Sequence, residues 1–284
     1  MNQPARSPAD KTPGKRATIL MSLVAVLCIA IPLLFWHGTW FGRALSDEQV
    51  TEYLADSQEQ PRHTQHALVQ ISERMSRREA SAKQWYPQLV TLADHSLPEL
   101  RLTVAWVMGQ DNENEQFHDT LRELVRDANP MVRRNAALSL ARFGDASGRA
   151  ELLAMLQPHT VVANQAGVIT NRLQDGDTVD RGTLLARVEV EGEPEPIEIR
   201  SEIPGIVRKQ LKSDGEAIQP GEGVTLLGPD PGHAYEALRG LYLVGARGDI
   251  EIIRPFLMPT ENNPAHVAEQ ARLTIEKLSG NTAQ

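Results

Sequence analysis

Hydrophobic and polar positions along the chain fall into distinct regimes, each predicting a different element. From Ala17 to Trp36 no residue is charged, and at 1.5 Å per residue such a run crosses roughly 30 Å of hydrocarbon. It predicts a transmembrane helix, with Pro32 tolerated in that setting. Residues 47–60 read as an acidic linker or short helix, and 63–82 as an amphipathic helix with Leu68, Ile71 and Met75 on one face. The spacing then repeats. Leu89 and Leu92 recur as Leu121 and Leu124 and again as Leu153 and Leu156, each step being 32 residues. Pro98, Leu100, Arg101, Ala105 and Met108 recur at the same offset as Pro130, Val132, Arg133, Ala137 and Leu140. Each unit predicts a helix with paired leucines, a turn with Pro, and a second helix. Such a pair cannot bury its apolar face alone, so the units are expected to stack into a solenoid.

The next turn is due near residue 162, but from Val161 to Leu227 the apolar spacing alternates and Gly punctuates it, which predicts strands. Two halves are visible there. Gly167, Ile169, Leu173, Asp175-Gly176, Val179 and Gly182 are echoed by Gly205, Val207, Leu211, Asp214-Gly215, Ile218 and Gly221, with one extra residue before the second Asp-Gly. Asp-Gly supplies the positive-φ positions of a tight turn. Helical spacing returns at His233, with Ala237, Leu238 and Leu241, then Ile253, Phe256 and Leu257, then Val267, Ala271, Ile275 and Leu278. The strands therefore read as an insert within the third repeat, as surface turns tolerate.

These residues carry two resemblances. Asp127 to Leu138 followed by Phe143-Gly144-Asp145 resembles the HEAT-like repeat of the phycobilisome-lyase type; the resemblance implies that Asp and Arg brace neighbouring repeats, which makes Arg133 structural. Lyases, scaffolds and adaptors share such repeats, so fold is implied more than function. The duplicated half-motif is similar to the biotinyl/lipoyl-like barrel-sandwich domain of acyl carriers and of membrane-fusion adaptors of exporters. In the carriers a lysine on the hairpin between the halves is acylated, whereas residues 183–199 contain no lysine here and offer Pro194 and Pro196. No covalent cofactor is expected. The helical hairpin and further barrel of complete exporter adaptors are also absent from the sequence.

Charge changes the picture at the amino terminus. Arg6, Lys11, Lys15 and Arg16 precede the apolar run and only Arg43 closely follows it, which predicts a cytoplasmic amino terminus and a translocated body. Phe35, Trp36, Trp40 and Phe41 are the expected membrane-interface anchors. A cleaved signal peptide is the competing reading, against which stand the length of the run and the Gly42-Arg43-Ala44 triplet. The formal net charge is -8, and setting residues 1–42 aside leaves the rest more acidic still. Such a body repels phosphate backbones, so no nucleic-acid partner is expected, and Arg133-Arg134 and Arg208-Lys209 read as solvated or structural charges.

Composition excludes more than it assigns. The single cysteine, Cys28, rules out disulfide frameworks, four-cysteine zinc sites and thiol pairs. No phosphate loop, dinucleotide Gly motif or nucleophile elbow occurs. His63 and His66 lack a third ligand in the pattern, and Asp175, Asp177 and Asp180 lack the spacing of a calcium loop, so no metal is expected. Trp85 and Trp106 read as helix-core packing, Trp106 facing a neighbouring repeat or the insert. Glu113 and Glu115 read as solvation. Glu191, Glu193 and Glu195, on the hairpin between the halves, are the candidate partner-docking residues.

The expected architecture is α+β: a basic tail over 1–16, a transmembrane helix and interfacial belt over 17–42, a linker over 43–62, HEAT-like repeats over 63–157, the barrel-sandwich insert over 158–230, and further repeats with a cap over 231–284. The expected function is a non-enzymatic, single-pass scaffold or adaptor that docks protein partners on the outer face of the cytoplasmic membrane, with homo-oligomers open. Two alternatives stand beside it: an accessory subunit of a transport or efflux complex, and a lyase-like repeat enzyme.

Overall fold

The computed structural model describes Val26, Cys28 and residues 44–280. The chain divides into two compact units, Met1–Gln49 and Val50–Gln284. Helix α1 (Asp47–Ala55) opens the described helical region where a linker or short helix is expected. Helix α2 (Pro61–Ser76) buries Leu68, Ile71 and Met75. It ends earlier than its apolar spacing suggests. Arg78 adopts φ 58, the left-handed conformation that reverses the chain, and a 3-10 turn, Ala80–Trp85, follows.

Three helix pairs come next, and the second helices of the first two start 32 residues apart, at Pro98 and Pro130. They are α3 (Tyr86–Leu92) with α4 (Pro98–Met108), α5 (Glu115–Leu124) with α6 (Pro130–Arg142), and α7 (Arg149–Ala154) with α8 (Pro231–Val244). Each second helix begins with Pro at its first position, where a missing N–H costs nothing. The caps before two of them are supplied by side chains. Asn129 accepts from the Met131 and Val132 N–H groups, and Asp230 accepts from that of His233. Asp230-Pro231 thus resumes the start signal that Asn129-Pro130 gives one repeat earlier. The short α9 (Ile250–Ile253) and α10 (Ala265–Leu278) complete the helical part.

Between α7 and α8 lie eight strands: β1 (His159–Val162), β2 (Gly167–Asn171), β3 (Thr178–Val179), β4 (Leu184–Glu189), β5 (Ile197–Arg200), β6 (Gly205–Gln210), β7 (Ala217–Ile218) and β8 (Gly223–Pro229). They form two four-stranded antiparallel sheets in the orders β1-β8-β6-β3 and β5-β4-β2-β7. The halves exchange turns. The Asp175 carboxylate accepts from the Gln210 N–H at 3.1 Å, and Asp214 accepts from the Asn171 N–H at 2.7 Å. Gly176 (φ 96) donates to the Val207 carbonyl and Gly215 (φ 82) to that of Ile169. These aspartates therefore hold turns.

The insert enters and leaves on neighbouring strands, because His159 of β1 pairs with Leu227 of β8. Its two ends sit side by side, so it occupies a turn without separating the helices around it. Leu152, Met155 and Leu156 share one core with Ala234, Ala237, Leu238 and Leu241 from beyond the insert. The sheets also dock on the helices. Met131 and Leu102 pack against Val179, Leu185, Ile203, Val207 and Leu227, and Arg181 pairs with Glu99 at 3.2 Å.

Two expectations are corrected. The insert is not a closed barrel: β3 and β7 contribute two residues each, bulges interrupt the pairing at Val161/Val162, Leu184/Ala186 and Val207/Lys209, and both sheets keep open edges. The expected single-pass placement in the cytoplasmic membrane is not supported either. Among the described residues no helix is long and apolar enough to cross a membrane. The longest, α2, has 16 residues, spans about 24 Å, and carries Arg62, Glu73 and Arg74. The expected span at 17–36, apart from Val26 and Cys28, and the anchors Phe35, Trp36, Trp40 and Phe41 lie outside the described residues.

Candidate functional site

The helical repeats are held in register by ion pairs that the period places. Arg101 reaches back to the His95 and Ser96 carbonyls and grips Asp127 in the next repeat through Nε (2.7 Å) and Nη2 (2.9 Å). Arg133, 32 residues on, reaches back to the Asp127 and Ala128 carbonyls and forward to Glu151 at 3.1 Å. Asp145 receives Arg122 at 2.6 Å and His118 at 2.8 Å. Arg149 grips buried Asp249 across the insert, with its Nε at 2.8 Å. Burial pushes the Asp127 carboxyl up, but Arg101 and the Asn129 N–H more than offset this and hold it below the ordinary carboxylate range. Asp145 lies well below that range: the cost of burial is exceeded by bonds from Ser147, Arg122 and His118. These groups are structural.

With the first helices and the core on one side, the second helices α4, α6, α8 and α10 pack side by side. Their free faces line a groove of ≈ 630 Å³. Trp106 of α4, Tyr242 and Leu243 of α8, and Leu273 of α10 expose apolar surface there; Trp106 is 38% exposed and Leu243 58%. Their exposure follows from helix phase. On α4 the buried face is Leu100, Val104, Ala105, Val107 and Met108, and on α8 it is Ala234, Ala237, Leu238 and Leu241. Trp106, Tyr242 and Leu243 fall outside those faces. The expectation that Trp106 is core packing is therefore corrected, whereas Trp85 is buried, donates to the Thr51 hydroxyl at 3.0 Å and lies under the Arg74 guanidinium.

Charge in the groove is mostly positive. Arg134, Arg142 and Arg239 line it together with one acid, Glu236. Arg239 pairs with Glu236 at 3.2 Å. Arg142 is exposed, donates to the Gly109 carbonyl at 3.2 Å and has no carboxylate partner among the described residues. Arg134 is only 8% exposed, its Nε lies 3.6 Å from Glu151 without a hydrogen bond, and burial pulls its guanidinium below its ordinary value. Burial likewise lowers the His233 imidazole, and the neighbouring Arg134 charge acts in the same direction while Asp230 opposes it. The Ser139 hydroxyl donates to the Ala105 carbonyl at 2.7 Å and is thereby occupied. The surface offers apolar contact and cations.

The other sequence candidates lie apart in role. Glu191, Glu193 and Glu195 are exposed on the β4–β5 connection, where Gly192 adopts φ 89, and form no ion pair among the described residues. His63 stacks on Tyr53 with centroids 4.5 Å apart, and buried His66 is pulled below its ordinary pKa by desolvation. Among the described residues no group of three or more His, Cys, Asp or Glu could hold a metal. A second cavity of ≈ 500 Å³ lies between β6, β8 and the turn preceding α10. There the Asn263 amide donates to the Phe256 and Met258 carbonyls, both at 2.8 Å, and so braces the turn.

Residues 86–168 match the model of the HEAT repeats family. The helical part of this segment is HEAT-like repeat, and it supplies α4 and α6 of the groove. The match extends through β1 into β2, where the insert interrupts the array. Comparison with curated proteins gives no match. HEAT repeats generally mediate protein–protein interaction, because stacked helix pairs present extended surfaces, and protein partners are consistent with that.

Proposed function

We propose that this protein is a non-enzymatic scaffold or adaptor that docks a partner protein along the groove of its second helices. The observation that carries the reading is the gathering of Trp106, Tyr242, Leu243 and Leu273, from three helices, around one cavity. Single exposed apolar residues are ordinary, but a cluster rimmed by polar groups marks an interaction surface. Aromatic residues and arginine are the side chains most enriched where partners meet. The Glu191 to Glu195 connection remains a second candidate contact, supported by its exposure alone.

Affinity capture with the full chain tests the reading, compared with a Leu243→Asp, Leu273→Asp double variant. Both positions are exposed, so the variant should melt within a few degrees of the parent. Loss of specifically captured proteins is the expected result. Unchanged capture would place the interaction surface elsewhere.

A further inference from the structure

We infer that the groove takes an acidic amphipathic segment of the partner, with apolar side chains against Trp106, Tyr242, Leu243 and Leu273 and a carboxylate on Arg142. The inference rests on the docking reading and deepens it by naming the occupant. Three arginines and one glutamate line the groove, in a chain whose formal net charge is -8. Local sign is thus opposite to that of the whole molecule. Charges beyond about 8 Å are largely screened at physiological salt, so a bound segment responds to the arginines beneath it more than to the acidic surface at large.

Within that set the cations are not equivalent. Arg239 is engaged by Glu236, and Arg134 is buried with Glu151 3.6 Å away. Arg142 is exposed, and among the described residues its guanidinium donates to the neutral Gly109 carbonyl and to no carboxylate. Its planar fork keeps donors for a carboxylate, the geometry in which arginine binds most strongly. Trp106, one helix away, lines the same groove and supplies an aromatic face for an apolar neighbour of that carboxylate. A basic segment would instead meet Arg142 as a like charge.

The probe is a display library of random short peptides selected on the full chain, followed by anisotropy titrations of the enriched peptides. Enrichment of sequences combining Asp or Glu with Leu, Phe or Trp is expected. Their affinity should fall about tenfold or more in Arg142→Glu and in Leu243→Asp. It should be unchanged in Arg254→Glu, which lies outside the groove lining. Enriched peptides that need Leu243 but are neutral or basic would overturn the acidic occupant and leave the docking reading standing. Enriched peptides indifferent to both substitutions, or no enrichment, would overturn the inference, and the capture experiment would then decide the docking reading by itself. Retention of a labelled single-stranded RNA, lost in Arg142→Glu, would overturn it in favour of phosphate recognition.

Discussion

Asp127 shows how one residue serves two repeats. Its carboxylate accepts from Arg101 of the preceding unit and from the Asn129 N–H that starts its own turn. Removing it by Asp127→Ala leaves the largely buried Arg101 guanidinium without its acid, and should cost about 2 to 3 kcal/mol in denaturant unfolding. The pH dependence has a definite sign. Asp127 and Asp145 both titrate below the ordinary value in the folded chain, so their stabilisation is complete above an unfolded pKa of about 4. It is lost as pH falls from there through the lower folded values. Unfolding free energy should therefore decline on acidification below about pH 5, and the decline should be shallower in the Asp127→Asn, Asp145→Asn double variant. Equal slopes would mean that these carboxylates are not linked to folding. The Arg of this brace is readable from the 32-residue recurrence of Arg101 and Arg133 and the Asp only from the resemblance to HEAT-like repeats, since residue 95, one period before Asp127, is His; the identity of Arg133's acid, Glu151, needs the packed helices. Gly176 and Gly215 give a second residue-scale test: at φ 96 and φ 82 a side chain is strained, so either glycine changed to Ala should cost about 1 kcal/mol or more.

At the scale of elements, the instructive feature is a repeat cut in two by eight strands and rejoined. Leu152 is fully buried and touches the core formed with α8, which lies beyond the insert in sequence. Gly240 permits the close approach, since a Cβ there would come 2.9 Å from the Leu152 side chain. Leu152→Ala should lower stability by about 2 to 5 kcal/mol, and circular dichroism and hydrogen exchange should show the loss on both α7 and α8. Destabilisation confined to α7 would mean that the two do not fold as one pair. The period, the paired leucines and the duplicated strand motif make both helices and strands legible in the sequence. Closure of the sheets is not legible in the same way, because alternation fixes which face a residue takes but not which edges meet. Bulges and two-residue strands decided that point. The overlong reading of α2 has a similar cause: apolar spacing continues past Ser76, while the turn at Arg78 depends on a left-handed backbone that periodicity does not register.

At the scale of the whole chain, the groove is the feature least visible in sequence. Trp106 and Leu243 are 137 positions apart, with the entire insert between them, and each looks like one more apolar residue on an amphipathic helix. Only the stacking of α4, α6, α8 and α10 brings them to one surface and shows that they lie outside the buried stripe. The acidic hairpin stood out in the sequence because charge is conspicuous there; exposed apolar surface has no comparable mark. The most direct test of the docking groove is a position scan with a photo-crosslinking amino acid in the full chain, placed singly at Trp106, Leu243 and Leu273. Val168 and Met258, exposed apolar residues outside the groove lining, serve as comparison positions. The account predicts adducts with the same partner from all three groove positions, on three different helices, and none from the other two. Adducts from Val168 or Met258 with none from the groove, or no adduct at any groove position, would contradict it.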